Sequence, residues 1–178
     1  MFMSLLRKRR SIRRFQAAAV EKEKVDLLVE AGLRAPSSRG LNPWHFVVVT
    51  DRGMLERLAQ AKPHGSAFLK DAALGIVVCA DAAKSDVWVE DASIATIVIQ
   101  LAAESLGLGS CWIQIRERMH DPTQTAQSYI AGLLQVPPGV MVESVVAIGY
   151  PAETKPPRPG TELLYSQVHG GVFGTSLR

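Results

Sequence analysis

With 178 residues, 47% of them apolar and 21% charged, the chain has the composition of an ordinary folded domain, which excludes a disordered tail. The net charge is +3, and the excess is local, because six of the eight residues from Arg7 to Arg14 are Lys or Arg; such a cluster implies an anionic partner without saying which. The two cysteines, Cys79 and Cys111, lie in apolar runs without C-x-x-C spacing, which argues against a disulfide scaffold or a zinc site and suits a reducing cytoplasm.

The chain opens with few apolar residues ahead of its charges, the reverse of a secretory signal. In Arg9-Arg10-Ser11-Ile12-Arg13-Arg14-Phe15, an extended backbone would send Arg9, Ser11 and Arg13 to the same side. Paired guanidinium donors and a hydroxyl suit a phosphate dianion. Taken alone, the run serves equally well as a solvated basic patch or a nucleic-acid contact. Residues 21–34 form the first expected helix, with Val25, Leu28, Val29 and Leu33 at helical spacing, and Pro36 ends it. The turn-rich loop 37–43 follows. His45–Thr50 is a Val-rich buried strand, 53–61 a short helix, and Ala73–Ala80 a second buried strand.

Residues 89–106 are the longest helix candidate. Ile94, Ile97, Val98, Leu101 and several alanines cover most of its circumference, so it needs a wall on most sides, and a subunit interface would supply one. The apolar stretch 94–108 carries Gln100 and Glu104 and is too short to span a bilayer. Glu90 and Asp91 sit where a helix dipole favours negative charge. Gly107 and Gly109 stop the helix, and Ser110–Ile115 is a third strand. A helix over 123–134 and a strand over Val142–Tyr150 complete one domain, residues 1–178, whose Pro-rich residues 151–178 form an extended arm.

His45, His64, His120 and His169 show no metal-ligand spacing. No G-x-G-x-x-G follows a strand, and no G-K-[ST] loop or G-x-S-x-G elbow occurs. Cys111 has no base beside it in any recognisable pattern and reads as a buried thiol. No residue is assigned an acid, base or nucleophile role.

Five segments in order, R-R-S-I-R from Arg9, A-P-S-S…N-P-W-H-F from Ala35, W-V-E-D-A-S-I-A from Trp88, L-G-L-G-S-C-W-I from Leu106, and A-I-G-Y-P with K-P-P-R from Ala147, together resemble the nitroreductase family of flavoproteins in its short form. The resemblance implies an α+β fold with a central mixed β-sheet flanked by helices, a long buried central helix and a homodimer binding FMN at the subunit interface. It implies phosphate contacts from Arg9 and Ser11, with Arg10 a cofactor-site candidate in the same run, and a cation, Arg13, near the pyrimidine side of the flavin. Pro36, Ser37, Ser38 and Asn42 match a loop contributed by the other subunit. Cys111, Trp112 and Ile113 match the segment beside the ring, and Lys155 and Arg158 match cations returning to the phosphate. One stretch departs: 65–71 offers no Asn, and only Lys70, where larger relatives carry an Asn and a Lys near the ring.

The implied activity is a ping-pong hydride transfer from NADH or NADPH through FMN to an electron-poor small molecule such as a nitroaromatic or quinone. Flavin reduction or dehalogenation on the same fold is the alternative. A basic nucleic-acid-binding module is a second, resting on Arg7–Arg14 alone. Neither a nucleic acid nor a membrane is expected as partner.

Overall fold

A computed structural model describes residues 2–177. The elements run α1 (Phe2–Lys8), α2 (Lys22–Leu33), β1 (Trp44–Val49), α3 (Arg52–Ala59), β2 (Leu74–Asp81), α4 (Trp88–Ser105), β3 (Gly109–Gln114), α5 (Ala126–Leu134) and β4 (Val140–Gly149). The strands form one sheet in the order β1-β2-β4-β3. Its two inner strands are the apolar runs LGIVVCAD and VMVESVVAIG, which are buried along nearly their whole length. Strands covered on both faces have no reason to alternate with polar residues.

Alternation instead sorts their side chains between two cores. Val77, Cys79, Val145 and Ala147 face Leu55 and Leu58 of α3 and Ile130 of α5. Ile76, Val78, Val146 and Ile148 face Leu28 of α2 and Ile99 and Ala103 of α4. Gly32 sets the approach of α2 to α4: a Cβ there would stand 3.1 Å from the Ile99 side chain. The sheet is therefore sandwiched by helix pairs, in keeping with an α+β class. All three strand pairings are antiparallel, and the parallel component is the isolated Ser11–Ser110 bridge on the outer side of β3.

Helix α4 is the long central helix the sequence leads one to expect. Ala92, Ala95, Ile99 and Ala103 are buried, while Ile94 and Ile97 remain 38% exposed in the single chain. Gly107, at φ 74°, ends it in the left-handed conformation glycine tolerates. No helix among the described residues is long and apolar enough to cross a membrane.

Helix α1 is an addition to the expected elements. It has seven residues, none buried, and ends on Arg7 and Lys8, where cations favour the helix C-terminus. Beyond Tyr150 the chain forms an arm with short 3₁₀ turns at Gly160–Glu162 and Tyr165–Gln167. The arm leaves Leu164, Val172 and Phe173 largely exposed.

Candidate functional site

The basic run divides where α1 ends: Ser11 bridges Ser110 at the start of β3, and Arg14–Gln16 then pair with Tyr150–Ala152 just past β4. The Ile12 amide donates to the Ser110 carbonyl at 3.0 Å. A Cβ on Gly109 would come within 2.8 Å of Ile12, so only glycine lets the buried Ile12 seat against the start of β3. With Ile12 turned inward, Ser11 and Arg13 point the other way.

The arm clamps this segment from outside. Lys155 Nζ donates to the Ser11 carbonyl at 2.7 Å and stands 3.3 Å from the Glu153 carboxylate. Glu153 in turn accepts from the backbone amides of Arg13 (2.6 Å) and Arg14 (3.2 Å). These bonds, the Arg13 amide first, hold the Glu153 carboxyl below the ordinary range.

The Cys111 thiol marks where the groups converge. Burial pushes its pKa up, and Arg13, a Ser11 hydrogen bond, Lys155 and Arg9 all pull the other way. Arg13, Ser11, Lys155 and Arg9 therefore all lie within electrostatic reach of Cys111. The Arg13 guanidinium also lies over the Phe68 ring at 5.7 Å. Arg10, opposite in the alternation, donates instead to the Pro156 carbonyl. It shares a recess of about 520 Å³ with Arg158, which bonds Glu162. Arg9 links the inner group near Cys111 to this outer pair: it is the weakest of the influences on the thiol and also lines a recess with Arg10 and Arg158.

Along β3, Ile113 joins the core on the α3/α5 face. Trp112 is half-buried and donates its indole N–H to Gln114 Oε1 at 2.9 Å. Lys70 is exposed. Lys62, which the sequence reading passed over, is half-buried and stands near enough to Cys111 and Arg118 to feel both. Burial lowers its pKa, Arg118 adds to that effect, and Cys111 opposes it. Its signal in the sequence is only a lysine before a Pro-His-Gly turn.

The second group lies at the other end of α4. Ser37 Oγ donates to Asn42 Oδ1 (2.8 Å) and accepts from the Asn42 amide (2.9 Å). This closure holds Asn42 at φ 49°, a region Asn tolerates better than most residues. Pro36 is exposed at the loop's entrance. The Ser38 amide donates to Asp91 Oδ1 at 2.7 Å, and Ser85 Oγ donates to Asp91 Oδ2 at 2.8 Å. Asp91, 2% exposed, therefore pins the loop to α4 in addition to sitting at its N-terminus. Asp91→Ala leaves two donors unmatched in a buried place and is expected to cost about 2–4 kcal/mol, read as a lower urea midpoint. Among the described residues no hydrogen bond or ion pair joins this loop to the inner cationic group. No three His, Cys, Asp or Glu side chains among the described residues gather as a metal site requires.

The model of the nitroreductase family matches residues 6–64 and 54–150. A chain from Methanothermobacter thermautotrophicus, provisionally named NADH dehydrogenase/NAD(P)H nitroreductase, is 39% identical over 166 residues, covering 92% of this chain and 82% of its own. The structure of an FMN-dependent nitroreductase from Clostridium difficile superposes with a TM-score of 0.95 at 49% identity, covering 96% of this chain and 99% of that one. The NADPH:FMN oxidoreductase of Vibrio harveyi, solved with NAD+, gives a TM-score of 0.81 at 25% identity, covering 97% and 77%. The ordered motifs, the helix-flanked sheet with its central helix, and these matches along nearly the whole length agree: the chain belongs to the nitroreductase family.

Proposed function

We propose that the chain is an FMN-dependent NAD(P)H oxidoreductase that works as a homodimer on electron-poor small molecules. The observation that carries this reading is the Arg9–Arg13 segment pinned to the start of β3 by the Ile12–Ser110 bond and clamped by Lys155 on the Ser11 carbonyl, which brings Arg13, Ser11, Lys155 and Arg9 within electrostatic reach of Cys111. Guanidinium forks, a hydroxyl and an ammonium are the donor set a phosphate monoester needs, and the Glu153 carboxylate beside them is engaged by Lys155 and the Arg13 amide. The FMN phosphate would lie there, with Arg10 and Arg158 adding positive potential from the outer recess. The ring would lie along Cys111, Trp112 and Ile113. Arg13, held over Phe68, would face the pyrimidine side, where a cation stabilises negative charge.

The loop of Pro36, Ser37, Ser38 and Asn42 has no bond to that cluster within the chain, so we place it on the partner subunit's flavin. Ile94 and Ile97 on α4, with the exposed apolar residues of the arm, supply the surface for the dimer. Free, buried Cys79 and Cys111 suit a reducing cytoplasm.

Bound FMN supplies hydride acceptance from NADH or NADPH and two-electron delivery to an acceptor such as a nitroaromatic or quinone. The protein's part is to hold, orient and polarise, and no side chain is required as acid or base. One exposed face used in turn by donor and acceptor gives ping-pong kinetics, seen as parallel double-reciprocal lines. A 2′-phosphate of NADPH would have to compete for Arg39 and Arg116, which are already paired with Asp86 and Glu117.

Protein purified without added cofactor is expected to be yellow and to bleach anaerobically with NADH or NADPH. Protein that stays colourless after incubation with FMN would overturn the reading.

A further inference from the structure

Strand β4 contains a fault at its middle. Val78 of β2 pairs with Ser144 and Cys79 with Val142, so Glu143 is an extra residue without a partner on β2. The Ile115 and Arg116 amides both donate to its carbonyl, at 3.1 and 3.0 Å. Such a bulge breaks the alternation of the strand and re-aims a side chain. Val142 and Val145, three apart, both enter the α3/α5 core, which strict alternation forbids. Glu143 and Ser144 are thereby both delivered to the α4 face. Ser144 Oγ meets Thr96 Oγ1 at 3.0 Å, and Glu143 Oε1 accepts from Ser93 Oγ at 3.4 Å.

Glu143 is 3% exposed, and its Oε2 is buried without a hydrogen-bond partner. A carboxylate in that setting would carry an uncompensated charge. Few groups face it. Ser93 and Thr96 of α4 are neutral. The β2 neighbours are Val78 and Cys79, whose thiol is pushed up to about 12 and stays uncharged. Arg116 is the nearby cation, but it is ion-paired with Glu117 at 2.7 Å. Burial is the largest influence on Glu143 and raises its pKa; Gln114, Arg116 and Ser93 pull the other way, and the negative charge of Glu117 adds a smaller push upward. Gln114 is also the residue that holds Trp112: its Oε1 accepts from the indole, and its Nε2 donates to the Arg116 carbonyl at 3.1 Å.

We infer that Glu143 is held as an uncharged carboxylic acid in the folded protein and is a positioning residue for the Trp112–Gln114 edge of the site. As an acid it leaves the Gln114 amide free to bond Trp112 and Arg116. Once ionised, it draws the Gln114 NH₂ toward itself, turns the amide, and releases the indole. The consequence for flavin binding rests on the FMN site proposed above, whereas the consequence for folding does not.

The sign follows from linkage. Folded protein keeps a proton that unfolded chain has released, so this contribution is fully present below the ordinary glutamate range and is lost as pH rises through the folded value. Within that window each pH unit lowers the folding constant by up to about tenfold, which moves the melting temperature of a chain this size by about 3–5 °C. Melting temperatures of the full chain from about pH 5 to about pH 9 should therefore fall more steeply for wild type than for Glu143→Gln or Glu143→Leu. Wild-type tryptophan emission should change across the same range, and that change should vanish in Trp112→Phe and in Glu143→Gln. FMN affinity at the alkaline end should drop several-fold in wild type and hold in Glu143→Gln. Melting profiles of wild type and both Glu143 variants that run parallel would overturn the inference. So would an emission change that persists in Glu143→Gln. Absence of FMN binding in every variant, with the melting difference intact, would refute the FMN site and leave Glu143's protonation standing.

Discussion

Arg9→Ala is expected to weaken FMN binding by about 10- to 100-fold, from the loss of a charge-assisted hydrogen bond of about 1.5–3 kcal/mol. Arg9 sits at the junction of α1 and the extended segment, and it is among the cations that act on the Cys111 thiol. Among the described residues no hydrogen bond or ion pair engages its side chain, so the substitution leaves the fold's own bonds in place. Arg9→Lys keeps the charge but loses the planar fork and should fall between the two. Titration of the purified variants with FMN, followed by quenching of flavin fluorescence, measures the effect. Lys22→Ala, which removes an exposed surface pair with Asp26, serves as the reference for nonspecific loss of charge. Wild-type affinity in Arg9→Ala would place the phosphate elsewhere.

Ile97→Glu is expected to abolish both the dimer and flavin retention. Ile94 and Ile97 lie together on the side of α4 opposite the buried Ala92, Ile99 and Ala103. An exposed apolar surface on the central helix of the fold is what a second subunit would cover. A carboxylate buried there without a partner costs several kcal/mol, enough to dissociate most dimers at working concentrations. In the single chain the position is open to water, so the protomer itself should keep its circular dichroism. Sedimentation should report a dimer for wild type and Ile97→Val and a monomer for Ile97→Glu. The monomer should be colourless, because the loop pinned by Asp91 then reaches no partner's flavin. A yellow, dimeric Ile97→Glu would remove α4 from the interface.

The strands were legible because both faces of β2 and β4 are covered, which leaves unbroken apolar runs in the sequence. The long helix was legible from the same cause, since its circumference carries so few polar residues. Helix α1 was not, because seven residues with no buried face give no periodicity to read. Helix α5 begins at Ala126, later than its apolar pattern suggests. Asp121 first takes the amides of Thr123 and Gln124 at 2.7 and 2.8 Å, and Thr125 then caps the helix. In the site, the basic run and its Ser11 were legible as a candidate anion-binding segment, since charge and residue type are written in the sequence. That Lys155 joins them while Arg158 stands with Arg10 depends on how the arm folds back, which no local pattern encodes. Asp91 read as a dipole partner because its bond to Ser38 spans 53 positions. Glu143 read as one residue of a strand, since a bulge is a property of pairing and not of composition.

The segment from Arg9 to Phe15 has a duty besides its charges. Strand β3 is the last in the sheet, and such a margin offers free N–H and C=O groups to any passing chain. Here the Ser11–Ser110 bridge occupies part of that margin, and the Phe15–Pro151 bridge fastens the segment to the residues that follow β4. The flanking arginines repel a second sheet that approaches edge-on. Proteolytic loss of this stretch would therefore do more than remove anion-binding groups: it would bare a β-edge and turn a dispersed protein into an aggregating one.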